Sequence, residues 1–228
     1  MPTQLSQAEI SIYAAVGYAQ TKWADLEYTL CRVFREAVSP FAHEPSGAIS
    51  ADSPAEDAFW AIISFEGKLK MTNAAVERRL NSPSNHALLA EWAKASKRVR
   101  VKAAKRNQLA HGATFKENTA GGERVSFVPF LNQLMAGYLI VAGAPDAEIS
   151  LWPGDIPPER DKWNVKRIES IAKGFEVGTL RLKRFYYALQ AHNKAVSEQE
   201  AETRRFFEAH RKSHNSIKNP DPPQPSEA

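Results

Sequence analysis

Residues 85–112 read NHALLAEWAKASKRVRVKAAKRNQLAHG. Leu88, Trp92, Ala95, Val99, Ala103 and Ala110 recur there at steps of three, four or seven, the spacing of one apolar face of an α-helix. That spacing predicts a helix from about residue 85 to His111, with Gly112 as a left-handed stop. Two helical stretches precede it. The first opens at Ser6 with Glu9 three residues on, a capping-box pattern, and carries Trp23, Leu26, Leu30, Val33 and Phe34 on its stripe before ending near Ser39-Pro40. Residues 39–53 hold turn formers and prolines and are expected to be a loop. Ser53-Pro54-Ala55-Glu56 then supplies an N-cap, a proline at the first helical position and an acid. One helix is expected to continue from there through Phe59, Ile62, Ile63, Leu69, Val76 and Leu80, until Asn81-Ser82-Pro83-Ser84 breaks it.

Beyond Gly112 the pattern changes. Gly121-Gly122 marks a turn, residues 124–128 and 138–142 are short β-type runs, and prolines 153, 157 and 158 close the segment. Helical spacing returns from about Asn164 through Ile168, Ile171, Phe175, Leu182, Phe185 and Leu189. The fold expected is all-α, an antiparallel four-helix-type bundle with a small strand-containing insertion (112–161) between the third and fourth core helices. The helical domain spans 1–194. Residues 195–228 read as a charged helical extension and a Pro-rich tail that is disordered by composition.

Composition narrows the function classes. Of 228 residues, 43% are apolar and 25% charged, ordinary globular usage that excludes wholesale disorder. The formal charge of +4 is too small to argue for nucleic acid by itself. The single cysteine, Cys31, rules out a disulfide framework and a Cys-based zinc site. The run MPTQLSQAEISIYAAV lacks a basic region ahead of an apolar stretch, and no apolar run nears the roughly 20 residues of a membrane span. A cytoplasmic protein without membrane association is expected. There is no Gly-rich phosphate loop, serine elbow or acidic metal cluster. His210 and His214 share a face, yet with no third ligand their spacing reads as coincidence.

Chemistry concentrates at the end of the helix over 85–111. Arg106 falls at the centre of its apolar stripe, where an unpaired guanidinium costs several kcal/mol, so it needs acceptors. Glu27 and Glu66, on the stripes of the first two helical stretches, are the candidates. His111 lies in the last turn, where the carbonyl ends favour imidazolium. Asn107 is four residues back, within reach of the imidazole. On an unbroken helix Arg106 and His111 stand about 140° apart, so convergence needs unwinding at Gly112 or a second copy of the site. Seven of the thirteen residues from Lys94 to Arg106 are basic. Such a run is either a solvated face or, leading into the motif through Lys102 and Lys105, an attractor of phosphates. Alternative readings stand beside these: Arg106 in a structural ion pair, His111 as a simple helix cap.

The run Arg106-Asn107-Gln108-Leu109-Ala110-His111 resembles the R-[polar]-x-x-x-H signature of HEPN domains, helical bundles found in RNA-targeting toxins and defence proteins. The resemblance covers roughly residues 6–192, with 112–161 as an insertion. It implies metal-independent RNA cleavage with no cofactor. His111 would be the acid or base at the 2′-hydroxyl or leaving oxygen, Arg106 the phosphate clamp and Asn107 the polar support. It also implies an active site between two protomers of a homodimer, and control by a cognate antitoxin or regulatory protein. Two further classes remain open: a non-catalytic helical dimerisation or nucleotide- or RNA-binding module, and a general nucleic-acid binder using the basic helix. In the insertion, Phe127, Phe130 and Tyr138 could stack on unpaired bases or pack onto the bundle.

Overall fold

The computed structural model describes residues 4–39, 53–129 and 162–218, the side chains of 211–218 excepted. The chain is mostly helical with one small two-stranded sheet. Helix α1 spans Gln7–Val38, α2 Pro54–Ala61, α3 Phe65–Arg79, α4 His86–Ala110 and α5 Val165–Lys218, while β1 (Ala113–Thr119) and β2 (Gly122–Val128) form a hairpin. The expected strand over 138–142, Phe130, Tyr138 and the prolines at 153, 157 and 158 lie outside the described residues, as do the tail from 219 and the side chain of His214.

Helix α1 is nucleated as its sequence predicts. The Ser6 hydroxyl accepts from the Glu9 amide at 3.3 Å, and the Glu9 carboxylate accepts from the Ser6 amide at 2.8 Å. Its buried stripe includes Ala19, Trp23, Leu26, Leu30 and Val33. Against it lies α5, in the same direction. Trp23 meets Phe175 edge-on at 5.3 Å, Arg32 sits 4.3 Å over the Tyr186 ring, and Asn193 Nδ2 donates to Glu36 Oε1 at 2.7 Å. Helix α3 also runs with α1, from the Trp23–Phe65 contact at 4.6 Å to Arg79, whose Nε donates to Asn193 Oδ1 at 2.7 Å. Asn193 thereby ties α1, α3 and α5 with one buried amide. Helix α4 runs antiparallel to α3 and α5: Trp92 stacks on Phe185 near one end, and Lys102 lies beside Gly174 and Gly178 further along.

The expected single helix over 54–80 is two. Ile62 has φ −80° and ψ 117°, and Ser64 caps a new helix by accepting from the Gly67 amide at 3.1 Å. Ile63, assigned from spacing to the buried stripe, is 99% exposed at this break. The break has an architectural effect. The eight residues of α2 return the chain along α1, so α3 can start again in the direction of α1.

Two details at the end of α4 also differ from expectation. Ala110 is exposed and Leu109, one residue before it, is buried instead. Gly112 is not left-handed. His111 ends the helix at φ −109°, and the positive-φ glycine among the described residues is Gly122, at +105° after the Ala120–Gly121 turn. Gly112 serves by its size instead, since a Cβ there would overlap the Phe127 ring and sit 2.8 Å from the Val128 carbonyl. Residues 124–128 are strand as expected. β1, with only two residues in seven apolar, carries too weak a β signal to be seen in the sequence. Phe127 packs in the core, paired through its backbone with Trp163. Lys116 anchors the hairpin on Glu9 at 2.8 Å, and this contact, with the Ser6 bonds, holds the Glu9 carboxyl below the ordinary carboxylate range.

Among the described residues, no helix is long and apolar enough to cross a membrane. Cys31 is buried, and burial pushes its thiol up to about 12.

The closeness of α1, α4 and α5 is set at Gly178, where a Cβ would lie 2.8 Å from Leu26 Cδ1 and 3.1 Å from Lys102 Cδ. Gly178→Ala is therefore expected to destabilise by about 1–3 kcal/mol through overpacking. Gly17→Ala, whose Cβ meets nothing within 4 Å, gains up to about 1 kcal/mol of helix propensity. Urea unfolding midpoints of the two variants check this; equal midpoints would remove Gly178 as the spacing constraint.

Candidate functional site

The last turn and a half of α4 is held by what surrounds it. Leu109 is buried, Gly112 admits the Phe127 ring, and Lys105 stands 5.6 Å over the Trp163 ring. This fixes the helix end from two sides and presents Arg106, Asn107 and His111 from one short, rigid element.

Arg106 is half-buried. Its Nη1 donates to Asn107 Oδ1 at 3.2 Å, while its Nε is buried with no hydrogen-bond partner. Gln108 Oε1, two residues on, is likewise buried and unpartnered. An unmet buried donor costs about 1–3 kcal/mol, a cost that the Nε1 groups of Trp23 and Trp92 in the core also carry. The partners expected for Arg106 are engaged elsewhere. Glu27 holds Lys68 at 2.7 Å, with Lys68 also over the Trp60 ring at 4.3 Å, and Glu66 pairs with Arg100 at 3.2 Å. Both ion pairs follow from helix direction: α3 runs along α1, setting Lys68 against Glu27, and α4 presents Arg100 to Glu66. Glu27 and Glu66 are therefore not the partners of Arg106, and among the described residues no carboxylate pairs with it.

His111 is exposed, one residue beyond the helix, its amide donating to the Asn107 carbonyl at 3.1 Å. The structure thus places Arg106 and Asn107 in direct contact and His111 on the same helix end, but it joins neither Glu27 nor Glu66 to them.

Lys102 and Lys105 part company. Lys105 is exposed beside Trp163, whereas Lys102 is half-buried between α4 and α5, where burial first and the Arg98 charge second pull its ammonium below the ordinary lysine range. Sequence spacing pointed to the basic run of α4 alone. It missed that Arg181, on α5, shares a surface depression with Lys97, Arg98 and Lys102. Helical periodicity within α5 marks Arg181 as lying off the buried stripe; only the packing of the two helices brings it opposite α4. Among the described residues, no group of three or more His, Cys, Asp or Glu side chains is placed to hold a metal ion.

Comparisons with protein-family models, with curated proteins and with solved structures find no match to this chain.

The contrast between the two cations gives a stability test. Lys68→Met leaves Glu27 uncompensated in a site where neither partner is more than one-fifth exposed, and is expected to cost about 3 kcal/mol. Arg106→Met removes an unmet buried donor while keeping the aliphatic bulk, so its urea midpoint should equal or exceed that of the wild type. A large loss for Arg106→Met would show that the guanidinium is structural after all.

Proposed function

We propose that this chain is a HEPN-type four-helix bundle, formed by α1, α3, α4 and α5, that acts as a metal-independent endoribonuclease of a toxin or defence system and works as a homodimer. The observation that carries the proposal is Arg106: a half-buried guanidinium beside Asn107, with a buried Nε and no carboxylate partner among the described residues, at the same helix end as an exposed histidine. A planar guanidinium can hold the paired oxygens of a phosphodiester in the bidentate geometry it also offers a carboxylate. The Arg–polar–x–x–x–His pattern at a core helix end supports the same reading.

The chemistry needs few groups because RNA supplies its own nucleophile. The 2′-hydroxyl oxygen attacks phosphorus, its proton passes to a base, and the bond to the 5′ oxygen breaks as that oxygen takes up a proton. The products are a 2′,3′-cyclic phosphate and a 5′-hydroxyl. His111 is the group that moves a proton at one of these oxygens. Arg106 holds the non-bridging phosphoryl oxygens as negative charge builds on them, and Asn107 fixes the guanidinium plane. The 140° between Arg106 and His111 on a straight helix is met by using Arg106 of one protomer with the histidine of its two-fold mate. A regulatory partner that occludes this shared cleft is part of the same proposal.

Cleavage of an unstructured RNA in the presence of EDTA tests the reading. Wild type is expected to yield products ending in 2′,3′-cyclic phosphate, and His111→Ala and Arg106→Ala to fall by about 100-fold or more each. An inert wild type, or full activity in both variants, would defeat it.

A further inference from the structure

A surface groove runs between α4 and α5, away from the motif. One stretch, with a volume of about 570 Å³, is lined by Lys94, Lys97, Arg98 and Lys102 from α4 and by Arg181 from α5, with Val101 and Val177 between them. An adjoining depression of about 430 Å³, lined from α5 alone, shares Val177 and Arg181 and adds Lys183, Arg184, Leu180 and Tyr187. Neither stretch has a carboxylate in its lining. Elsewhere on the helices several cations meet acids: Lys22 with Glu176, Arg35 with Glu56, Arg100 with Glu66. Crowding like charges along two facing helices raises the free energy of the isolated chain, and a polyanion laid between them removes that cost. Lys102 is held below the ordinary lysine range by burial first and by the Arg98 charge second.

We infer that the α4–α5 groove is a docking track for the backbone of single-stranded RNA, separate from the Arg106–His111 motif. The choice of RNA rests on the proposed function; the choice of a single strand rests on the groove itself. Exposed Val177, Leu180 and Tyr187 break the basic lining with apolar and aromatic surface, the alternation on which unpaired bases stack while cations follow the phosphates. The α4 cations continue to Lys105 at the motif end of the helix, so a strand held in the track is led toward it.

The experiment uses the full chain and a fluorescent 2′-O-methyl RNA oligonucleotide, which can bind but cannot be cut. Anisotropy titrations are run at several salt concentrations for wild type, Lys97→Glu/Arg181→Glu and His111→Ala. If the track neutralises about five phosphates, log K of the wild type falls against log salt with a slope of about −3.5. The double reversal should bind at least tenfold more weakly with a shallower slope, and His111→Ala should bind within twofold of wild type. The milder Lys94→Gln/Lys97→Gln pair, expected to weaken binding severalfold, serves should the reversal fail to fold. Equal binding by wild type and the folded groove variants overturns the inference, as does a wild type that captures phosphatidylserine vesicles but not RNA. The two claims separate cleanly. Salt-dependent, groove-dependent binding without any cleavage of ordinary RNA keeps the track and defeats the ribonuclease. Cleavage that survives every groove substitution overturns the track alone.

Discussion

The close approach of α1 to α5 at Gly178 is the constraint on which the other contacts depend. With no side chain at that position, Leu26 of α1 and the aliphatic stem of Lys102 from α4 meet on the same patch of α5. Three helices are thereby set at a fixed spacing, and Trp23, Phe175, Trp92 and Phe185 can pack as edge-on or tilted aromatic pairs. The same contact half-buries Lys102, which becomes the inner wall of the basic groove. Packing and surface charge are therefore two consequences of one small residue.

Where a local rule was strong, the sequence was legible. The Ser6–Glu9 capping box, the stripes of α1 and α5 and the Asn164 start of α5, whose side chain accepts from the Arg167 amide at 2.9 Å, all follow from neighbours within one turn. The break at Ile62–Ser64 was hidden because its residues are apolar and fit the period on either side. Only Ser64 signals it, as an N-cap embedded in a hydrophobic run. Direction was hidden too. Nothing local to α3 says that it runs along α1, so Lys68, and not Arg106, becomes the partner of Glu27. Gly112 shows the same limit: a glycine after a helix suggests a left-handed residue, whereas here the Phe127 ring, fifteen positions on, demands the missing side chain.

For the site, periodicity placed Arg106 at a position of α4 that is half-buried and His111 at its end. It could not say which acids were already occupied, and that fact gives Arg106 its interest. Nor could it place the cations of α5. Arg181 looks like an ordinary solvated residue until α4 is laid beside it, and then the two helices present one basic groove. The modest charge of +4 averages over this arrangement; its distribution, paired on α1 and unpaired between α4 and α5, is what carries information.

The central claim is that Arg106 is kept for a phosphate. Nitrogen–proton correlation spectra of the arginine Nε–Hε groups test it most directly, with the Arg106 signal assigned by loss in Arg106→Lys. On addition of 2′-O-methyl RNA, the account predicts a shift of the Arg106 Nε–Hε signal as the Nη end of the same guanidinium acquires phosphate oxygens. An Arg106 signal that stays in place while RNA saturates the protein would contradict it.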